Sequence, residues 1–364
     1  MILWRDNVKI ILGILILALI IITHEMGHYL IARLNGIEVV EFTIGFGPKI
    51  FGWRTKSGTK FSIRLIMLGA ACVFDDLDAG SDDEDTDIAS LIANSSFRKA
   101  NVWARIATTI AGPLFNLLLA YVLGLFLMNY IDIPSTVITE VMEGGAAYEA
   151  GIIEGDRIIS VNGSRTYLYP EVSTAVELGY GKPLTIVYER DGVRNKVEVI
   201  PQMNDEYGRF MIGVVFGGGE PEPKGPADII KSSYLYVRYM VKMTFSSFRM
   251  LFSGQAKVSE IAGPVGAAQI VGDEYDSAKE MGALAVVISM LNIALLLSAN
   301  IGIVNLFPIP AFDGGKLLFL IYEAIRGKPA NAKVEGTIQL IGVGLLLILL
   351  VVVMYNDITR LFAG

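Results

Sequence analysis

Long apolar runs restrict this chain more than any other feature, and the first of them contradicts itself. Ile10 to Ile22 is apolar throughout, yet it leads without a break into His24, Glu25 and His28 in "IIITHEMGHYLIARLNG". A helix needs about 20 mostly apolar residues to cross a bilayer. Val8–Leu34, Val102–Tyr130, Met281–Phe307 and Ile338–Tyr355 meet or approach that length. The whole chain is 53% hydrophobic, too apolar for an ordinary soluble protein. These runs predict a polytopic α-helical membrane protein with about four transmembrane helices, a membrane-associated β-hairpin region and one inserted β-rich domain.

The net charge of -7 has a local origin. Asp75–Asp87, "DDLDAGSDDEDTD", holds eight acidic side chains and no basic one. Without it the chain is near neutral, so no nucleic-acid partner is expected. The single cysteine, Cys72, rules out an intramolecular disulfide. No cleavage pattern follows the first apolar run, which is read as a retained span rather than a signal peptide.

Turn and periodicity signals divide the rest. "KFSIRLIMLGAACVF" (60–74) alternates and reads as strands or a hairpin. "GAAYEAGIIEGDRIISVNGS" and "KPLTIVYERDGVRNKVEVIP" predict short strands, the second a hairpin around Asp191-Gly192, with a short helix over "PEVSTAVELGY" between them. "GGGEPEPKGP" has linker composition. Ile229–Phe252 mixes four cations with aromatic and aliphatic residues, which suits a helix lying in the membrane interface.

The expected organisation is therefore a first transmembrane helix with H-E-x-x-H (1–35), a cytoplasmic or re-entrant β region with the acidic loop (36–101) and a second transmembrane helix (102–130). An extracytoplasmic β-rich domain (131–217), a linker (218–226) and an interfacial amphipathic segment (227–280) follow. A third transmembrane helix (281–325) and a fourth (336–356) complete the chain. The basic residues Lys49, Arg54, Lys56, Lys60, Arg64, Arg98 and Lys99 fall in the first loop, and Lys316, Arg326, Lys328 and Lys333 in the third. With four spans these loops share one side, and the positive-inside bias makes it cytoplasmic, leaving the β-rich domain outside.

His24 and His28 stand at i and i+4, so on a helix both imidazoles leave one face. Glu25 lies about 100° around the helix from His24, within reach of a water on a metal held by the pair. This is the zinc-protease H-E-x-x-H pattern, with the glutamate as general base. Polar groups inside a span default to function, and the chain has only these two histidines. A catalytic zinc takes three protein ligands and keeps a fourth position open. The third ligand must then come from Cys72 or a carboxylate. Asp313 is the best candidate, in "NIGIVNLFPIPAFDGGKLLF", where Pro308 and Pro310 break the third span and Gly314 and Gly315 allow a close turn. Capping of the helix that follows is its alternative role.

"HEMGH" in a first span, with N-x-x-P-x-P-x-x-D-G from Asn305 to Gly314, resembles the site-2 intramembrane zinc metalloproteases, in their bacterial RseP-like branch with an inserted PDZ domain. "TIAGPLFN" (109–116), "IAGPVGAAQI" (261–270) and "EFTIGFGPKIF" (41–51) share the resemblance, which covers most of the chain. It implies zinc on His24, His28 and Asp313, Glu25 as base, Asn305 as a substrate-positioning residue, and Asn116 near the substrate. It also implies a PDZ-like inserted domain, a bacterial inner-membrane location with the active site toward the cytoplasm, and the transmembrane segments of single-pass proteins as substrates. Anti-sigma factors and remnant signal peptides are the implied kinds, with the PDZ-like domain barring bulky partners. Phe312 replaces a usual leucine, "GAACVF" replaces a usual Gly-Tyr pair, and no Gly-apolar-Gly carboxylate loop precedes Ile138.

Since a helical substrate hides its carbonyls, it must unwind locally. The alternating stretch Lys60 to Ile66 is the expected edge for it to join as a β-strand. A PDZ-bearing membrane scaffold, a proton- or metal-coupled transporter and a membrane-anchored zincin with a soluble catalytic face are the competing classes. No repeated halves with matching broken spans support a transporter.

Overall fold

The computed structural model describes residues 2–74, 96–217, 225–252 and 263–363. The acidic run and most of the linker lie outside them. The chain forms two compact units, Met1–Leu123 with Met240–Gly364, and Gly124–Tyr239.

In the first unit, α1 (Ile2–Leu34) carries the H-E-x-x-H motif, and β1 (Glu41–Arg54) and β2 (Lys60–Val73) follow it. After a turn of helix, α2 (Ser96–Lys99), comes α3 (Val102–Leu127). Among the described residues, four helices are long and apolar enough to cross a membrane, over Ile11–Leu34, Val102–Leu127, Ala283–Leu306 and Lys333–Thr359. Their outward faces are apolar: Leu15, Leu19 and Leu30 on α1 are exposed, as are Leu118, Val122 and Phe126 on α3. Such faces are unremarkable in lipid, where a helix satisfies its own backbone groups.

The two strands make more sheet than a plain hairpin. Glu41–Ile44 runs parallel to Lys60–Ile63, and its other side pairs in descending register with Ala70–Val73. Lys49–Arg54 pairs in descending register with Lys60–Arg64. Each strand thus contributes two segments to one layer, with Ala70–Val73 at one edge. Tyr29 of α1 stacks edge-on against Phe42 and Phe61, at 5.7 and 5.4 Å between ring centres. That aromatic contact holds the sheet on the α1 face that bears the motif.

In the second unit, β3 (Ile138–Val141), a single turn of helix, α4 (Ala146–Glu149), β4 (Arg157–Val161) and β5 (Ser164–Arg165) precede α5 (Tyr169–Glu177). The strands β6 (Leu184–Arg190), β7 (Val193–Val199), β8 (Gln202–Asn204), β9 (Arg209–Met211) and β10 (Val214–Phe216) follow. The main sheet has the order β5-β4-β6-β7, and β3 pairs with β10. Asp191 and Gly192, at φ 52° and 77°, link β6 to β7, and Asn162 and Gly163, at φ 48° and 77°, link β4 to β5. Two-residue turns with both φ positive match the twist of paired strands, which is why these dipeptides predict hairpins. Ile152, Ile158, Val172, Leu184 and Ile186 close the core. The architecture is the expected β-rich insertion.

Asp156 ties this unit together. Its side chain is fully buried; Arg190 donates to both its oxygens at 2.8 and 2.7 Å, and the Ile153 N–H donates at 2.9 Å. Burial alone would raise its carboxyl; the Arg190 hydrogen bonds, the Ile153 N–H and the guanidinium charge outweigh that and hold it below the usual carboxylate value. A carboxyl depressed by folding stabilises above its unfolded pKa of about 3.9, and that contribution is lost as pH falls through the folded value. Arg190→Ala is expected to lower the unit's stability at pH 7, because it leaves the buried Asp156 carboxylate without its cation. The difference should shrink on acidification below pH 4, read as hydrogen exchange of the β4 and β6 amides; a difference independent of pH would contradict it.

Three further helices complete the first unit after α6 (Pro226–Phe252), and a fourth precedes the broken span. They are α7 (Pro264–Met281), α8 (Ala283–Leu306), α9 (Asp313–Arg326) and α10 (Ala332–Ala363). α6 is not among the helices apolar enough to span, in keeping with its four cations. The sequence does not announce α7, which lies in the segment read as interfacial. Its start is held by Asp357 of α10, which accepts from the backbone N–H of Gly263 at 3.1 Å and of Gly266 at 2.8 Å. The third span is not continuous through 325. It stops at Leu306 and resumes as α9 at Asp313.

Candidate metal centre and active site

The α1 helix places His24 and His28 one turn apart on a single face, both 8% exposed. The break between α8 and α9 brings the third group. Pro308 and Pro310 have no N–H to continue a helix, and Ala311 adopts φ 79°, its N–H donating to Gln339 Oε1 at 2.6 Å. The chain then folds back over α9 so closely that a Cβ on Gly314 would lie 2.1 Å from the Phe307 carbonyl oxygen. No larger residue fits that turn, and the turn fixes Asp313 at the first position of α9.

Asp313 Oδ2 lies 3.0 Å from His24 Nε2 and 3.3 Å from His28 Nε2, and the two Nε2 atoms are 3.2 Å apart. With bonds of about 2.0–2.1 Å, tetrahedral zinc requires about 3.3 Å between donor atoms. The three atoms already stand at those separations. Two neutral imidazoles and one carboxylate are also a donor set that suits zinc. Cys72, the other third-ligand candidate, is not in this cluster.

Glu25 points to the other side of the same space. Its Oε2 accepts the Cys72 N–H of β2 at 2.9 Å. A cavity of about 560 Å³ opens here, lined by His24, Glu25, His28, Cys72, Asn305 and Asp313 among others. Asn305 thus faces the same chamber. Asn116 does not line the chamber as expected of a substrate contact: it is 0% exposed, and its amide sits 3.3 Å from His24 Nδ1, behind the ring.

The sequence reading missed residues whose role exists only when helices meet. The Thr108 carbonyl accepts a hydrogen bond from His28 Nδ1 at 2.8 Å. Gly112 lies so close that a Cβ there would be 2.3 Å from His28 Nε2 and 2.8 Å from His24 Nε2. At the cavity lining, Arg105 pairs with Glu323, and Arg98 with Glu335 at 2.7 Å. The one available signal was the "AGP" within an apolar span, where glycine marks a close helix approach.

The stretch expected to receive substrate is also displaced. Lys60–Ile63 is flanked by Glu41–Ile44 on one side and Lys49–Arg54 on the other, so it has no free edge. Alternation in a sequence shows which face a residue takes, not whether its strand is at an edge. The edge beside Glu25 is Ala70–Val73.

A model of peptidase family M50 matches residues 12–349. Zinc metalloprotease RasP of Bacillus licheniformis is 32% identical over 432 residues, covering 97% of this chain and 99% of that protein. The Regulator of sigma-W protease RasP of Bacillus subtilis is 31% identical over 426 residues, with the same coverage of 97% and 99%. The PDZ domain of an SdrC-like protein from Listeria monocytogenes is similar over 24% of this chain and 90% of its own, at 16% identity and a TM-score of 0.21. The match along almost the entire length, in a chain with four membrane-length helices and a ready zinc donor set, means that the chain belongs to peptidase family M50, the site-2 proteases, and is a membrane zinc metalloprotease.

Proposed function

We propose that this protease hydrolyses a peptide bond in or beside the transmembrane segment of single-pass membrane proteins, with zinc on His24, His28 and Asp313 and Glu25 as general base. One observation carries the reading: donors 289 residues apart converge at 3.0 Å within a chamber of about 560 Å³ on membrane-length helices. A membrane-anchored zincin with a soluble face would have no use for Asp313. When bound, zinc supplies a Lewis acid that acidifies water and polarises the scissile carbonyl.

The chain's own groups do the rest. The Glu25 carboxylate, held in place by the Cys72 N–H, takes a proton from the attacking water and returns it to the leaving amine. Asn305 presents an amide that can donate to a substrate carbonyl and accept from an N–H. The basic residues Arg98, Arg105 and Lys316 line the chamber, in keeping with an opening toward the cytoplasm and a PDZ-like domain on the outer side. Anti-sigma factors and remnant signal peptides fit as substrates; the Bacillus subtilis relative is named a regulator of sigma-W.

The unwound substrate segment adds along Ala70–Val73. Backbone groups alternate along a strand, so the N–H of Ala70 points to the same side as that of Cys72. Ala70→Pro deletes that donor and leaves the inward-facing N–H groups of Ala71 and Val73 in place. Cleavage of a model transmembrane substrate is expected to fall about tenfold, the worth of one hydrogen bond, with zinc content unchanged. Unchanged cleavage would reject the edge as the substrate's seat.

A further inference from the structure

Thr108, Gly112 and Asn116 recur every four residues along α3, on the stripe that meets the two histidines. The first and last contact the Nδ1 atoms, the side of each ring turned away from Asp313. A carbonyl can only accept, so the Thr108 oxygen at 2.8 Å requires the His28 proton to be on Nδ1, leaving the Nε2 lone pair to the cluster. With the proposed zinc bound, His24 needs the same tautomer, because a nitrogen that ligates the metal carries no proton and its Nε2 is the atom beside Asp313 Oδ2 (3.0 Å) and His28 Nε2 (3.2 Å). Its Nδ1 is then a donor too.

The group that meets it is the Asn116 amide nitrogen, at 3.3 Å, which is also a donor. Meanwhile the Asn116 amide oxygen, fully buried, has no hydrogen-bond partner. Two facing donors and one orphaned acceptor on the same side chain share a single remedy. The two ends of an amide have the same shape, and a half-turn about its last torsion exchanges them. Asn116 Oδ1 then accepts the His24 Nδ1 proton.

We infer that Asn116 is a positioning residue for His24: its side-chain oxygen fixes the imidazole's tautomer and direction for the metal, as the Thr108 carbonyl does for His28. This rests on the ligand set proposed above. It replaces a substrate contact, for which the residue's burial behind the ring leaves no room. Partners on the far nitrogen of a ligating histidine raise its basicity and hold its ring, and their loss costs about 10–100-fold in metal affinity.

The test is zinc affinity of the purified full chain, measured by competition with a chelator, for wild type, Asn116→Leu, Asn116→Asp and His24→Ala. Asn116→Leu keeps the volume without an acceptor and should bind zinc about 10–100-fold more weakly. Asn116→Asp keeps an acceptor and should stay near wild type, which also shows that the position tolerates change. The KM for a model substrate should not rise in either. The inference is overturned if Asn116→Leu holds zinc like wild type, if Asn116→Asp loses it as far as Asn116→Leu does, or if KM rises with zinc affinity unchanged. Zinc lost on His24→Ala but kept on Asn116→Leu defeats the positioning role alone. A wild type that binds no zinc defeats the ligand set and this inference together.

Discussion

Glu25→Gln is expected to lower the cleavage rate by 10²–10⁴-fold, the worth of a general base, with zinc content unchanged. The carboxylate is not one of the three converging donor atoms, so the metal does not depend on it. Glutamine has the same length and keeps an oxygen to accept the Cys72 N–H now bound at 2.9 Å. The β2 edge should therefore stay where it is. What the amide lacks is the ability to take a proton. A loss of this size with zinc retained is specific to that function, whereas a loss of both would mean that Glu25 supports the metal site instead.

Gly112→Ala is expected to abolish zinc binding through one methyl group, at least a 100-fold loss of affinity, since small misplacements of a constellation cost this much. Carbon and its non-bonded neighbours settle near 3.5–4.0 Å, but this Cβ would stand 2.3 Å from His28 Nε2 and 2.8 Å from His24 Nε2. Both ligand atoms must retreat by about an ångström, or α3 must move. Moving α3 is resisted from α1, where Gly27 already approaches the Ala111 carbonyl so closely that a Cβ would be 2.5 Å from it. Gly13 on α1 has nothing within 4 Å, so Gly13→Ala controls for loss of a membrane-helix glycine as such. Zinc content of the two variants decides the matter. Wild-type zinc in Gly112→Ala would mean that the approach of α3 to the histidines is not as close as described.

How much of this was legible in the sequence depended on whether a residue's role is local. His24, Glu25 and His28 announce themselves because helical periodicity alone puts the two imidazoles on one face. Asp313 stood out because prolines and glycines surround a charge at the end of an apolar run. The Asp191-Gly192 hairpin and the helix over Tyr169–Glu177 followed from turn chemistry and periodicity. Thr108, Gly112 and the sheet edge did not follow, since each depends on which surfaces meet. Thr108 acts through its backbone carbonyl, to which its side chain gives no clue. Lys60–Ile63 alternates as an edge strand does, but the fold of Lys49–Arg54 back onto it removes the edge. α7 was missed because its acidic and small residues have the look of a loop, and its anchor, Asp357, lies 91 residues beyond Gly266.

On the proposed mechanism the histidines are in a membrane helix because the scissile bond is there. The most direct test is mass spectrometry of the products when purified wild type cuts a single-pass substrate with a tagged soluble flank on each side. New termini are expected inside or at the border of the apolar segment, and none when Glu25→Gln replaces wild type. Termini confined to a soluble flank, or equal cleavage of that flank as a free peptide, would contradict it.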